Sequence, residues 1–133
     1  MIEAAQTDIA TLSKFVTLQP RPVEAKWSVT RIGAEGGFGP TDTALWAVLR
    51  YSPANAAAVA RALEAGETLP SATVAPPPAW LLADVDLARF RRGGEYVFER
   101  SVSAGKPFAS DLYATGFALT LPDDRVLIHF SSR

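Results

Sequence analysis

Residues 43–66 read TALWAVLRYSPANAAAVARALEAG, and the spacing of their apolar residues changes at a Ser-Pro step. Residues 44–51 form an apolar run with one charge, Arg50, which is typical of a strand covered on both faces. Ser52 then fits the N-cap of a helix, and Pro53 fits the first helical position, where its missing N–H would have no partner. The stretch therefore predicts a buried strand followed directly by a helix.

The predicted helix covers residues 53–65 and has a narrow apolar face. Its apolar side chains follow the i, i+3, i+4, i+7 spacing that places residues on one side of a helix. They are Ala56, Val59, Ala60 and Leu63. Gly66 stands where a left-handed residue ends many helices. We expect this helix to pack on one face of a sheet that contains the buried strand.

Alternation of apolar and polar residues marks a further strand. It is clearest from Val23 to Thr30, where Trp27 falls on the apolar side. The predicted strands are 23–32, 44–51, 95–102, 116–121 and 126–131. Together with the helix they predict a single α+β domain over residues 1–133, built on a mainly antiparallel five-stranded sheet.

The last two strands form a predicted hairpin, and the second of them needs a partner on each side. The apolar faces expected to match are Phe117, Leu119 and Leu121 on one strand and Val126, Ile128 and Phe130 on the other. No charge interrupts 126–130, so at a sheet edge its unpaired N–H and C=O groups would be a template for another chain. We expect this strand to lie inside the sheet, with 95–102 as its second neighbour. The alternative is pairing with a second copy in a homodimer.

The N-terminus is predicted to hold a helix of two heptads. Its apolar residues, spaced three or four apart, are Ile2, Ala5, Ile9, Leu12 and Val16. Coiled coils usually show three or more heptads, so we expect this helix to cover an edge or end of its own sheet rather than to dimerise.

Prolines and aspartates shape the middle of the chain. Residues 67–79 contain four prolines, which predicts an extended surface crossing or a boundary between subdomains, and we favour the crossing. A helical stripe follows over residues 80–90. Asp84 and Asp86 weaken it, so the predicted helix breaks into two short turns.

The composition excludes several classes of site and partner. The chain has no cysteine, which excludes disulfides, thiolate metal sites and cysteine nucleophiles. The 13 basic and 14 acidic residues give a net charge of −1, which offers no general attraction to nucleic acid or to an anionic membrane. The N-terminus lacks the pattern of a signal peptide, and no run is long enough to span a bilayer. We therefore expect a cytoplasmic protein that binds neither nucleic acid nor membrane.

Few residues suggest a catalytic or metal-binding role. His129 is the only histidine, and we expect its ring to face solvent or to bond the backbone, because Ile128 and Phe130 point to the core. As a general base it would need an orienting carboxylate, for which Asp111 is the nearest candidate. The acidic residues are scattered, so we assign no catalytic residue, no metal and no cofactor. Whether the chain is an enzyme stays open.

One basic cluster is present. Arg89, Arg91 and Arg92 surround Phe90, and arginines beside an aromatic ring can hold phosphate or stack on bases. No second basic stripe extends this cluster, and acidic residues follow it closely. We therefore expect a solvated helix end rather than a nucleic-acid site.

A glycine-rich loop, GAEGGFGPTD at residues 33–42, separates the first two strands. Its spacing misses the fingerprints of phosphate-binding loops, so it is predicted to be a strand connection with Phe38 as a protein-binding residue. The leading hypothesis is a small non-catalytic protein that binds a protein partner or forms a homodimer, because the aromatic residues exceed what the predicted strands must bury. The alternative is a small-molecule sensor or enzyme with a pocket under this loop. Its polar contacts would be Arg31, Asp42, Arg92 and Tyr96.

Overall fold

An antiparallel sheet with short helices on both faces is seen in the computed structural model, which describes residues 5–18, 21–32, 42–66, 68–74, 77–103, 105–110, 113 and 115–131. The strands are β1 (Glu24–Ile32), β2 (Asp42–Arg50), β3 (Thr68–Val74), β4 (Arg91–Arg92), β5 (Glu95–Ser103), β6 (Thr115–Leu121) and β7 (Arg125–Ser131). The helices are α1 (Ile9–Leu12), α2 (Pro53–Ala65) and α3 (Ala79–Asp84), and two 3₁₀ turns are η1 (Ala88–Phe90) and η2 (Lys106–Phe108). The predicted α+β class is confirmed.

The strand order is β1-β2-β7-β6-β5-β3, with β4 paired to β5, and every pairing is antiparallel. The first four strands in this order pair along their lengths. A single pair, Ser103 with Ala118, joins β5 to β6. The sheet therefore consists of a four-stranded part and a β5–β3 part that meet at one bridge.

Strand β7 lies inside the sheet, as predicted, between β2 and β6. The expected second neighbour was wrong, since residues 95–102 belong to β5 and β2 takes that place. Leu45 lies opposite Phe130, and Leu49 lies opposite Val126. Strand β2 is apolar on both faces, and such a strand belongs in the interior of a sheet that is covered on both sides.

The predicted face matching of the terminal hairpin was also wrong. Phe117 lies opposite His129, so its ring shares a face with Leu127 and not with Phe130. The turn fixes this register, because Asp123 and Asp124 have φ values of 65° and 61° and close a tight connection. A shift of one residue moves every side chain of a strand to the other face.

One face of the sheet carries the first core. It joins side chains of β1, β2 and β7 to α1, α2 and η2, and its largest members include Trp27, Leu45, Leu49, Val59, Leu63, Phe108, Ile128 and Phe130. Helix α2 therefore packs on this face through its predicted apolar side. Ser52 caps the helix by accepting a hydrogen bond from the Asn55 N–H. Gly66 ends it in an extended conformation rather than the expected left-handed one, and a Cβ atom at this position would lie 3.3 Å from the Ala62 carbonyl oxygen.

The opposite face carries a second core, so the sheet is buried on both sides. It joins the sheet to α3 and β5 through Trp46, Val48, Leu81, Val85, Leu87, Tyr96, Phe98, Phe117 and Leu127. Phe98 of β5 lies 4.7 Å from Phe117 between ring centroids. This layer explains why β2 has no polar side.

The N-terminal segment forms much less helix than its spacing predicts. Helix α1 begins at Ile9, because the Asp8 carboxylate caps it by accepting from the Ala10 N–H. Before the cap, Gln6 exchanges two backbone hydrogen bonds with Trp27 and extends the sheet beside β1. Leu12 and Val16 still reach the first core. The expected position at a sheet edge is therefore right, whereas the expected length is not.

Two predictions for the middle of the chain have different outcomes. The stripe over residues 80–90 does break, into α3 and η1, and the Asp86 carboxylate accepts from the Ala88 N–H at the break. The proline segment, by contrast, contains strand β3 rather than only an extended crossing. Its pairing with β5 shifts between Leu69 and Ser71, around Pro70. An edge strand tolerates proline because one side of its backbone has no ladder to complete.

Candidate functional site

The predicted pocket under the glycine-rich loop lies outside the described residues, as does Phe38. Strand pairing still locates two of its predicted contacts. Arg31 lies opposite Thr43, and Asp42 lies opposite Ile32, so both backbones are at the loop end of the β1–β2 hairpin.

The other two predicted contacts belong to a different hairpin. Arg92 lies opposite Glu95 and is exposed, whereas the Tyr96 ring is part of the second core with 8 % of its surface exposed. The four residues are therefore divided between the β1–β2 and β4–β5 hairpins. Their joint role in one pocket stays a prediction.

An open groove of about 700 Å³ lies at the end of β1 and β2 remote from the glycine-rich loop. We call it the charged groove. Its charged lining residues are Glu24, Lys26, Arg50, Asp84, Asp123 and Arg125, and its apolar ones are Ile9, Val23, Ala25 and Val48. The sheet register creates it, because Glu24, Arg50 and Arg125 lie side by side on three neighbouring strands.

Two ion pairs order most of these charges. The Arg50 guanidinium meets both oxygens of Glu24, with Nη2 2.8 Å from Oε1 and Nε donating to Oε2 at 3.1 Å. Lys26 Nζ lies 2.7 Å from Asp84 Oδ2 and so ties β1 to α3. Both pairs are substantially exposed, and pairs of this kind contribute little to folding stability. Their effect is to fix the positions of the side chains that form the groove.

The protonation of the groove follows from these contacts. The hydrogen bond and the charge of Arg50 hold the pKa of Glu24 below its ordinary value, and Glu24 in turn raises the pKa of Arg50. Glu24 is thus ionised at neutral pH, where a general acid would have to hold its proton.

Arg125 is the groove cation outside these two pairs. It lies opposite Arg50, and its Nε donates to the Pro122 carbonyl at 3.3 Å. Asp123 is exposed in the adjoining turn. Three acidic and three basic side chains leave the groove neutral as a whole. Val23, with 53 % of its surface exposed, is the most accessible apolar residue of its lining.

Sequence reasoning missed this groove, although a signal was present. The alternation over residues 23–30 places Glu24 and Lys26 on the polar side of the strand. Arg50 was the one charge in an apolar run, and Arg125 begins another such run. Only the register shows that these charges meet.

His129 is half-buried against aromatic rings, so the expectation of a solvent-facing ring was wrong, whereas the alternative of a backbone contact agrees with the effect of Leu45. Its side chain is on the face opposite Ile128 and Phe130, as expected, but the second core covers that face. The ring lies 3.9 Å from Trp46 and 5.5 Å from Phe117 between centroids. Nδ1 is buried, and among the described residues it has no hydrogen-bond partner. Burial lowers the pKa of His129 to about 4, against a smaller opposing effect of the Leu45 backbone.

A histidine enclosed in this way is neutral at physiological pH and is surrounded by rings. Asp111, the carboxylate considered for orienting it, lies outside the described residues. The described part of the chain holds no group of three or more histidine, aspartate or glutamate residues placed to bind a metal. None of the helices within that part is long and apolar enough to cross a membrane.

Comparison with protein-family models, with curated proteins and with solved structures finds no match for this chain.

Proposed function

We propose that the protein is a non-catalytic binding protein whose charged groove receives a segment of a protein partner. The observation that carries this proposal is the arrangement of the groove, in which two ion pairs lie beside apolar side chains, of which Val23 is the most exposed. Protein-binding surfaces commonly have an apolar centre and a polar rim. The same arrangement occurs here in a cleft beside the edge strand β1.

The charges of the groove favour a partner segment with little net charge. Glu24 with Arg50 and Lys26 with Asp84 already compensate each other. A strongly charged ligand would have to break one of these pairs to gain a new contact. An apolar side chain next to a hydrogen-bonding backbone can instead cover Val23 and leave both pairs in place.

The abundance of aromatic residues no longer supports protein binding. Nine aromatic side chains are buried in the two cores or beside them, and three more pack against the cores. The remaining one, Phe38, lies outside the described residues. The proposal therefore rests on the groove and not on a surplus of exposed rings.

A small molecule in the same groove is the second candidate. The volume of about 700 Å³ falls within the usual size of a ligand pocket. Homodimer formation is a further form of protein binding. We also propose that the protein is cytoplasmic and that its partner is neither a nucleic acid nor a membrane.

Site-specific photo-crosslinking in the native cell tests this assignment. Benzoylphenylalanine replaces Val23 in the groove, and a control protein carries it at Glu64, an exposed position on α2. We expect position 23 to capture a defined protein that position 64 does not. Identical captures from the two positions, or none from position 23, would refute the proposal. Native mass spectrometry of the purified protein would reveal a bound small molecule and thereby favour the second candidate.

A further inference from the structure

Three exposed arginines form a surface on η1 and β4, apart from the lining of the charged groove. We call Arg89, Arg91 and Arg92 the arginine patch. The two-residue turn Gly93–Gly94 connects β4 to β5 beside it, and Gly93 adopts a φ of 66° there. A hairpin with such a turn is a defined support for side chains, unlike a long loop.

Backbone carbonyls hold two of these guanidinium groups. Arg92 Nη1 donates to the carbonyls of Arg89 and Arg91, each at 2.9 Å. Arg91 Nε donates to the Gly93 carbonyl at 3.4 Å. A guanidinium has five N–H donors, so these bonds orient the groups and leave other donors for a ligand.

The third guanidinium is held by an aromatic ring. The Arg89 guanidinium carbon lies 4.7 Å from the centroid of the Phe90 ring. Phe90 in turn packs on Phe98 of the second core, at 4.6 Å between centroids. The core therefore supports Arg89 from below, and a cation over a ring gains a favourable interaction with its face.

Within the described side chains the arginine patch has no ion-pair partner, although Glu95 lies opposite Arg92 on β5. Among the described side chains, the ion pairs within 4 Å are Lys26 with Asp84 and Arg50 with Glu24, and neither includes the patch. Three cations are thus concentrated on a chain whose net charge is −1. Oriented guanidinium groups without a carboxylate partner are suited to bidentate recognition of carboxylates.

We propose that the arginine patch binds an acidic peptide segment of a partner protein. Two features favour a peptide over a nucleic acid. The Phe90 ring is half-buried between Arg89 and Phe98, which leaves it unsuited as a platform for a stacked base. Glu95, opposite Arg92, would repel a long polyanion at the border of the patch. A short run of carboxylates needs only the area that the three arginines cover.

Fluorescence anisotropy with a labelled peptide tests the proposal. The peptide carries consecutive glutamates between neutral residues, and the matched peptide has glutamines in their place. At low ionic strength we expect the full chain to bind the glutamate peptide and not the glutamine peptide. The double variant Arg91→Gln/Arg92→Gln should bind about tenfold more weakly or worse, because each lost charged hydrogen bond is strong. Arg61→Gln, at an exposed site on α2, should bind like the parent.

Further measurements distinguish binding of an acidic peptide from binding of a nucleic acid and from a general effect of charge. Arg92→Lys keeps the charge but lacks the planar fork, so we expect binding between that of the parent and the double variant. Circular dichroism should show each variant folded, since the substituted side chains are exposed. Absence of saturable binding by the parent protein would overturn the proposal, as would an equal loss in Arg61→Gln. Tighter binding of an oligothymidylate of equal charge would identify the patch as a nucleic-acid site instead.

Discussion

At the scale of single residues, His129 contributes a distinct part of the pH dependence of stability. Its pKa is about 4 in the folded protein, compared with an ordinary value of 6.5. As the pH falls from 6.5 towards 4, the unfolded chain takes up a proton that the folded protein does not. The contribution of His129 to the free energy of unfolding is therefore greatest above pH 6.5 and decreases through this window.

We expect His129→Phe to remove this contribution, since phenylalanine keeps a ring against Trp46 and has no proton to gain. On lowering the pH to about 5, the parent should lose on the order of 1–2 kcal/mol more than the variant. Urea unfolding of both proteins, at neutral pH and at about pH 5, measures how much stability each one loses. Subtracting the loss of the variant from that of the parent cancels the effect of every other group that titrates in both proteins. Parallel losses would show that the ring titrates as an exposed histidine does.

Tyr51 and Tyr113 provide a matched comparison of buried hydroxyl groups. The Tyr51 hydroxyl is buried, and among the described residues it has no hydrogen-bond partner. Burial accordingly raises its pKa. The Tyr113 hydroxyl lies 2.8 Å from Thr43 Oγ1. We expect Tyr51→Phe to leave the midpoint of urea unfolding unchanged or to raise it, and Tyr113→Phe to cost about 1 kcal/mol. Equal losses in the two variants would show that Tyr51 has a partner.

At the scale of elements, helix α2 depends on its apolar face. Leu63 is 3 % exposed within the first core, whereas Arg61 of the same helix is exposed. Leu63→Ala should destabilise the protein by roughly 2–4 kcal/mol, as other large-to-small core substitutions do. Arg61→Ala, the control, should change the midpoint of urea unfolding little. A small effect at both positions would mean that the packing of Leu63 on the sheet contributes little to the free energy of unfolding.

Strand β6 depends on the close approach of β7 at Gly116. A Cβ atom there would lie 2.0 Å from the His129 carbonyl oxygen and 2.8 Å from the Phe130 Cα, and neither backbone atom can move away cheaply. We expect Gly116→Ala to destabilise by about 3 kcal/mol or more, which thermal unfolding will measure. Gly94→Ala is the control, because a Cβ at Gly94 meets nothing within 4 Å. A parent-like Gly116→Ala protein would contradict the β6–β7 register.

At the scale of the whole molecule, the two cores share the central strands β2 and β7. Consecutive residues of β2, such as Leu45 and Trp46, belong to different cores. Loss of either core would expose a face of the strands that support the other. We therefore expect one cooperative transition.

Tryptophan fluorescence can follow the two cores separately. Trp27 reports on the first core and Trp46 on the second. Trp27→Phe leaves Trp46 and Trp80 of the second core, and Trp46→Phe/Trp80→Phe leaves Trp27 of the first. In each variant the fluorescence midpoint and the far-ultraviolet circular dichroism midpoint should coincide. Midpoints that differ within one variant would show that the β5–β3 part, joined by a single bridge, unfolds separately.

The sequence predicts those features that depend on local spacing. The apolar run of β2, the Ser52 cap of α2 and the break between α3 and η1 all follow from neighbouring residues. The strand order could not be predicted in this way, because the pairing of Leu49 with Val126 joins distant parts of the chain. The burial of His129 and the meeting of Arg50 with Glu24 both depend on that order. For this reason the fold class was predictable and the groove was not.

The central place of β7 has a consequence for the synthesis of the protein. The ribosome produces this strand after every other strand that the structure describes, yet it fills the position between β2 and β6. Until it emerges, β2 has an open edge and is apolar on both sides, which is a hazard for a nascent chain. Completion of the sheet must therefore wait for the last strand, and during that interval the growing chain would be a natural client for chaperones.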